Sequence, residues 1–411
     1  MMRRRVVGLL IAMGALIFAF DSSAADASAA ARHRAHRTAH KHHAAHKRTH
    51  AKKSAAKHAP ARSLAIVTRP PQDAPDFDYQ DRIEKAQDLV AKQPVLPGDM
   101  VVDARGNLTH FTWTLAVGGK TGPLTILRMD ETGKNDQGFT VTWPVNNFIN
   151  TKFQVARPDG YIVFAQRRPV RNAKHAWEEA VYTAYAPELD TPKMREAGLD
   201  YLRHLQNQAY NRIQSHDVRS KVEPDATVAD KIPRGMVLRL MITEHIDPLH
   251  MKHVGIEQCV HEVLVTLAAN KGQSYAYARS SAGAMGLAQF VEDSYDMVRE
   301  HYPKALLEPD FRRGMTNLGN AVLASVLLMD LELTHLPDAT LKVVSQSAHR
   351  LAAFLAAGYN RNPAHVVRTY HRTRSFTGGK APFENKMYVR MQSWVGEFLK
   401  KEYGIPDARD S

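Results

Sequence analysis

The most constraining feature of the sequence is an apolar stretch between two prolines, Pro233 and Pro248. Pro233 suits the first turn of a helix, where its missing N–H leaves no hydrogen bond unmade. Val237, Leu240 and Met241 follow at helical spacing, which predicts one buried face. Because the residue before a proline avoids the α conformation, the helix is expected to end just before Pro248. The stretch therefore predicts a short buried helix that ends in a loop.

Glu244 lies on the predicted buried face of this helix, seven residues after Val237. A charge on the apolar side of a helix is unfavourable unless it is paired or has a function. One interpretation is a structural pair with a nearby arginine. The other is a carboxyl group whose pKa is raised by burial, so that it stays protonated near neutral pH and acts as a general acid. At this point both interpretations stay open.

Charge is distributed unevenly along the 411 residues, whose formal net charge is +13. The segment from Ala31 to Ser63 holds ten Lys or Arg and no acid, and the chain from Leu64 onward sums to only +2. A basic field suited to nucleic acid is therefore not expected on the folded body. A disordered linker is predicted at 30–63, because it offers almost no apolar side chain larger than alanine. It is either a solvated tether or an electrostatic contact with an anionic envelope polymer or membrane surface.

The first 29 residues have the pattern of a signal peptide. Arg3, Arg4 and Arg5 precede an apolar run from Val6 to Phe20, and small residues allow cleavage after Ala24 or Ala29. Export to a bacterial periplasm is predicted, with an uncleaved membrane anchor as the alternative.

A β-rich domain is predicted at 64–190. Its short alternating runs, separated by Gly- and Asn-containing turns, predict strands at 100–102, 108–115, 124–129, 139–143, 153–156, 161–165 and 180–185. This pattern is typical of a small sandwich or barrel and contains no catalytic motif. A helical connector with Leu199, Leu202, Leu205 and Ala209 on one side is predicted at 191–227. The expected fold class is α+β, with this β-rich domain before an all-α domain.

Four motifs in the last part of the chain carry a family resemblance. Ser280 to Gln289 reads Ser-Ser-Ala-Gly-Ala-Met-Gly-Leu-Ala-Gln, and Asn320 begins an apolar helical run. Gly358-Tyr359-Asn360 and Glu384-Asn385-Lys386-Met387-Tyr388-Val389 follow. In this order the motifs resemble the soluble lytic transglycosylase (SLT) family, which implies a lysozyme-like domain at 228–405. Ala288 and His245 depart from the family pattern, which has Met and Ser at those places.

The position of the acid depends on the alignment. Without a gap, the family's catalytic Glu aligns with Lys271, which would make the chain an inactive binding protein. With a segment inserted between Pro248 and Ala278, Glu244 takes that position, and this alignment is preferred. Met251 to Asn270 within the insertion has the pattern of an additional amphipathic helix carrying Cys259, the single cysteine, which is expected to be a buried thiol.

The resemblance implies cleavage of the bond between N-acetylmuramic acid and N-acetylglucosamine in peptidoglycan, with Glu244 as general acid and then base. It places Ser280, Gln289, Tyr359 and Asn360 around the substrate and makes Glu384 a supporting carboxylate. No metal or other cofactor is expected, and the partners are glycan strands. A hydrolase with Asp247 as second carboxylate and a catalytically inactive scaffold protein are the alternatives.

Overall fold

The computed structural model describes residues 78–135, 137–145, 148–171, 176–280, 282–379 and 381–406. A β-rich part precedes a helical part, so the predicted α+β class is confirmed. The predicted signal peptide at 1–29 and linker at 30–63 lie outside the described residues. Within those residues, none of the helices combines the length and the apolarity needed to cross a membrane.

The β-rich part opens with helix α1, Gln80–Ala91. Its strands are β1 Met100–Val102, β2 Leu108–Phe111, β3 Trp113–Gly118, β4 Leu124–Met129, β5 Thr140–Val145, β6 Lys152–Arg157, β7 Ile162–Arg171 and β8 Trp177–Tyr182. The main sheet is antiparallel in the order β4-β3-β7-β8, beside the pairs β1-β2 and β5-β6. The strand predicted at 108–115 is two strands, because Thr112 turns its N–H to the Asp99 carbonyl at 2.8 Å.

Eleven further α-helices among the described residues follow the sheet. They are α2 Pro192–Ser215, α3 Val228–Lys231, α4 Arg234–Thr243, α5 Pro248–Ala269, α6 Glu292–His301, α7 Phe311–Thr316, α8 Leu318–Leu333, α9 Asp338–Ser345, α10 Ala348–Asn360, α11 Pro363–Thr373 and α12 Phe383–Tyr403.

Helix α4 contains the predicted buried residues and ends at Thr243, as its proline boundary suggested. The expectation of a single buried face is wrong, because Leu238, Arg239 and Ile242 are buried as well. Helices α2, α5, α8 and α12 all contact α4. It is therefore a central helix of the core, and Glu244 follows directly at its end.

The helix predicted as a connector, α2, is part of the main core. Leu199, Leu202 and Leu205 are buried there together with residues of α4, α5 and α8. Gly198 lies so close to α5 that a Cβ atom would be 1.9 Å from the carbonyl oxygen of Leu264. A glycine is required at this contact, which locks α2 onto α5.

The helix predicted within the insertion is confirmed as α5, although it kinks at Gly255, where φ is 85°. Cys259 is buried in it, as expected. Val265, Ala268 and Ala269 of α5 share an apolar cluster with α1 and the main sheet. Asn270 then accepts the N–H of Thr183 and donates to its carbonyl, both at 2.7 Å. Helix α5 thus joins the sheet to the helical part.

Candidate functional site

Glu244 is the C-cap residue of α4 and is only 5% exposed. Its Oε1 accepts a hydrogen bond from the hydroxyl of Tyr388 on α12. Burial raises the pKa of Glu244 to about 8, against the weaker opposing effect of the Tyr388 hydrogen bond. Among the described residues no cation forms an ion pair with Glu244, so its surroundings differ from those of a structural Glu–Arg pair. Its carboxyl group is predominantly protonated at neutral pH.

Two tyrosines flank this carboxyl group. Burial and the nearby Glu244 raise the pKa of Tyr388 well above its usual range, so its hydroxyl remains a donor. Because Tyr388 donates to Oε1, the proton of the neutral acid belongs on Oε2. Tyr359, near the end of α10, is close enough for the charge of Glu244 to raise its pKa further, after the larger effect of burial. Its hydroxyl donates to the carbonyl of Ala288.

The described part of the motif from Ser280 to Phe290 forms a compact turn that contacts Tyr359. Met285 bridges to both Arg279 and Phe290, so the segment folds back on itself. Gly286 has φ of 74°, and a Cβ atom there would lie 2.3 Å from the carbonyl oxygen of Met315. Gln289 has φ of 47°, an uncommon value for a residue with a side chain. The glycine is needed for the close approach of the turn to the end of α7.

His245 ties the turn to the acid. Its ring stacks on Tyr275 with centroids 3.6 Å apart and an interplanar angle of 15°. Its Nε2 lies 2.8 Å from the carbonyl oxygen of Leu287. Burial lowers the pKa of His245 to about 3, so the ring is neutral. Since a carbonyl only accepts, the proton is on Nε2. His245, the neighbour of Glu244, therefore donates to the carbonyl of Leu287, and Tyr359 donates to the next carbonyl, that of Ala288.

The structure brings together some of the predicted substrate-binding residues. Gln289 is in the turn beside Tyr359 and donates from Nε2 to the Gly286 carbonyl at 2.8 Å, which leaves its Oε1 as an acceptor. Ser280 accepts the Ala284 N–H at 3.0 Å and stabilises the same turn. Asn360 is half-buried at the last position of α10.

Glu384 makes no contact with Glu244 among those that the structure records. It is exposed in the first turn of α12, and its side chain has no hydrogen bond or ion pair among the described residues. Tyr388, four residues later on the same helix, makes the contact instead. Tyr388 belongs to the same motif as Glu384 and follows it by four residues. Since residues four apart lie on the same side of a helix, the sequence offered Tyr388 as a second candidate.

Lys271, which the ungapped alignment placed at the position of the acid, and Asp247, the second carboxylate of the hydrolase alternative, have other contacts. Lys271, just beyond the end of α5, donates to the side chain of Gln80 on α1. Asp247 is exposed and caps α5 by accepting the Leu249 N–H at 2.7 Å. Neither contacts Glu244.

A buried carboxyl group close to Tyr359 was not predicted from the sequence. Glu332, near the end of α8, is 3% exposed, and its Oε2 is buried with no hydrogen-bond partner. Burial raises the pKa of Glu332 well above its usual range. It packs against Gly358, directly before Tyr359. The sequence signal for a buried Glu332 was its position within the apolar run of α8.

Within the described part of the chain, no group of three or more His, Cys, Asp or Glu residues could hold a metal ion. Comparisons with protein-family models, curated proteins and solved structures gave no match.

Proposed function

We propose that the chain is a peptidoglycan lytic transglycosylase whose helical part has a lysozyme-like fold and whose catalytic group is Glu244. The observation that carries the proposal is the buried, neutral carboxyl group at the end of α4, hydrogen-bonded by Tyr388. The helix end, the turn, the end of α10 and the start of α12 meet around it, and each bears a motif of the resemblance. A buried Glu with a raised pKa is the form of general acid that the lysozyme mechanism uses.

In the first step the proton on Oε2 of Glu244 passes to the glycosidic oxygen that follows N-acetylmuramic acid. The bond from the anomeric carbon to this oxygen breaks, and its electron pair stays with the departing oxygen. Positive charge then develops at the anomeric carbon, opposite a newly formed carboxylate. The hydroxyl of Tyr388 stabilises that carboxylate because it already donates to Oε1.

In the second step the carboxylate removes the proton of the muramyl 6-hydroxyl. The 6-oxygen attacks the anomeric carbon and closes a 1,6-anhydro ring, which restores the neutral acid. One carboxyl group serves as acid and then as base, and no water is consumed.

A hydrolase would need a second carboxylate or a positioned water molecule. Asp247 is engaged as a helix cap, and Glu332 is expected to be neutral because its pKa is raised. Neither is suited to activate water opposite Glu244. These two observations favour the transglycosylase over the hydrolase.

The proposed location is the periplasm, which rests on the signal-peptide pattern at 1–29. The basic linker at 30–63 would hold the enzyme near anionic envelope polymers or the membrane surface, with glycan strands as the partner of the folded body.

Digestion of purified sacculi, followed by mass spectrometry of the fragments, tests the reaction. Ends carrying 1,6-anhydro-N-acetylmuramic acid are expected, lighter by one water than reducing ends. Reducing ends alone would show a hydrolase. Undigested sacculi that retain bound protein would support the binding-protein alternative.

A further inference from the structure

A strongly basic stretch of the sequence contains Tyr359 and Asn360 of the candidate site. The 45 residues from Ala339 to Phe383 contain seven Lys or Arg and no Asp or Glu. The whole chain from Leu64 onward sums to a net charge of only +2, so positive charge is concentrated here. The seven are Lys342, Arg350, Arg361, Arg368, Arg372, Arg374 and Lys380.

Helix α11 arranges part of this charge on one face. Val366, Val367 and Thr369 are buried and fix the side of the helix that faces the core. His365, Arg368 and Arg372 are spaced by three and four residues on α11, so they share a face. Arg361 precedes the helix and reaches the same face through its contact with His365. His365, Arg368 and Arg372 are exposed, and Arg361 is half-buried. These four residues are called the basic stripe below.

The positive charge of the basic stripe is not neutralised within the part of the chain described by the structure. None of its four residues forms an ion pair with a carboxylate there. The one hydrogen bond that their side chains make there is internal, from Nη2 of Arg361 to Nδ1 of His365 at 3.5 Å. Partial burial, and then the charges of Arg368 and Arg361, lower the pKa of His365. Like charges at helical spacing repel one another and disfavour the helix unless a partner offsets them.

The basic stripe follows the candidate site closely along the chain. Arg361 follows Tyr359 and Asn360, and α11 begins two residues later and extends for roughly 15 Å. The start of α11 is thus separated from Tyr359 by only three residues of the chain. None of the large exposed apolar residues lies on α11, so the helix lacks the apolar face that a membrane-surface helix inserts.

We propose that the basic stripe binds the carboxylates of the peptide stems carried by the glycan strand. The inference rests on the proposed function, and it makes the peptide-bearing strand the preferred substrate. Guanidinium groups suit this partner because they pair with carboxylates in a bidentate geometry. The peptide stems recur along the strand, so they present a row of negative charges to a row of positive ones.

The test measures binding of soluble glycan strands to the full-length Glu244→Gln variant, in which cleavage is suppressed. One set of strands keeps its peptide stems, and the other has been stripped by an amidase. The unaltered basic stripe should bind the peptide-bearing strands more tightly. Adding Arg368→Gln and Arg372→Gln should weaken that binding by roughly two- to fivefold per arginine at low salt. Binding of stripped strands should not change. The linker at 30–63 contributes equally to both proteins and cancels in the ratio.

A matched control replaces Arg203 and Arg313 by Gln, which removes two charges from exposed ion pairs elsewhere. This control should keep the preference for peptide-bearing strands. Equal binding of both strands by the unaltered stripe would overturn the proposal. So would a double variant that keeps its preference but no longer binds vesicles containing phosphatidylglycerol, which would assign the stripe to a membrane surface. Cleavage by the chain with Glu244 intact is measured separately, so a failure of the proposed reaction is distinguishable from a failure of the basic stripe.

Discussion

The hydroxyl of Tyr388 donates to Oε1 of Glu244 although the two residues are 144 positions apart in the sequence. Burial raises the pKa of the carboxyl group, and the tyrosine hydrogen bond opposes that shift. The pair therefore holds the acid near the pKa at which it can both give and take back a proton. Their contact also joins the central helix α4 to the last helix of the described chain, α12.

Replacing Tyr388 by Phe tests the role of this hydrogen bond. The carboxylate form of Glu244 would lose its donor, so the pKa of Glu244 should rise further. We expect kcat to fall roughly 10- to 100-fold, the range for losing a hydrogen bond to a charged group. The alkaline limb of the pH profile of kcat/KM, expected near pH 8 for the native enzyme, should move upward. Replacing Tyr370, which stacks on Phe376 away from Glu244, by Phe is the control and should leave the profile unchanged. A downward shift in the Tyr388 variant would contradict the assignment.

The stability of the protein should depend on pH through Glu244. Its pKa is about 8 in the folded chain and near the ordinary value of 4.5 in the unfolded chain. Between these values the folded state holds a proton that the unfolded state has released. The stabilisation that this bound proton gives to the folded state is fully present below pH 4.5. As the pH rises from there through 8, the free energy of unfolding falls by roughly 1.4 kcal/mol per pH unit.

Glu244→Gln removes this titration. The free energy of unfolding of the variant, minus that of the native protein, should therefore increase between pH 5 and pH 8. Chemical denaturation at several pH values measures the difference. A difference that stays constant over this range would show that the native acid is not held protonated.

His245 should act through its N–H bond to the Leu287 carbonyl. His245→Phe keeps a ring beside Tyr275 but leaves that carbonyl without its donor, so we expect the turn to loosen and kcat to fall about tenfold. His245→Gln places an amide N–H near the position of Nε2 and should recover most of kcat. Because the pKa of His245 is about 3, neither variant should move the alkaline limb of the pH profile. Equal losses in both variants would exclude this role.

The contact between α2 and α5 should not tolerate a side chain at Gly198. Alanine there would meet the Leu264 carbonyl oxygen at 1.9 Å, so the two helices must separate. We expect Gly198→Ala to lower the free energy of unfolding by about 1–3 kcal/mol, the usual cost of overpacking. Gly319→Ala is the matched control, because its nearest contact is a side-chain atom at 3.4 Å within a helix. It should be neutral or slightly stabilising; a similar loss in both variants would refute the packing argument.

Local patterns in the sequence predicted the elements of this fold well. The proline boundaries located α4, alternation located the strands, and apolar spacing located α5 with its buried cysteine. These features depend on neighbours along the chain. The burial of α4 on every side was not predictable, because it depends on how α2, α8 and α12 pack around it.

For the candidate site, too, contacts between residues distant in the sequence were not predictable. Glu244 and Tyr359 were identified from burial spacing and motifs. Tyr388 and Glu332 were not. The sequence shows Tyr388 one turn after Glu384 and Glu332 within an apolar run, but their partners lie across the fold. Glu384 was transferred from a motif, but the side of α12 that reaches the acid carries Tyr388. The surplus of basic residues at 339–383 is visible in the sequence, but only the structure shows that His365, Arg368 and Arg372 are exposed on one helix.

The most direct test of the central claim is the rate at which Glu244→Gln cleaves purified sacculi. The matched control is Glu384→Gln, which removes an exposed carboxylate suggested by the same resemblance. If Glu244 is the proton donor, its variant should lose roughly 10²–10⁴-fold in rate while folding normally. Glu384→Gln should keep most of its turnover. Native turnover by a folded Glu244→Gln variant would contradict the account.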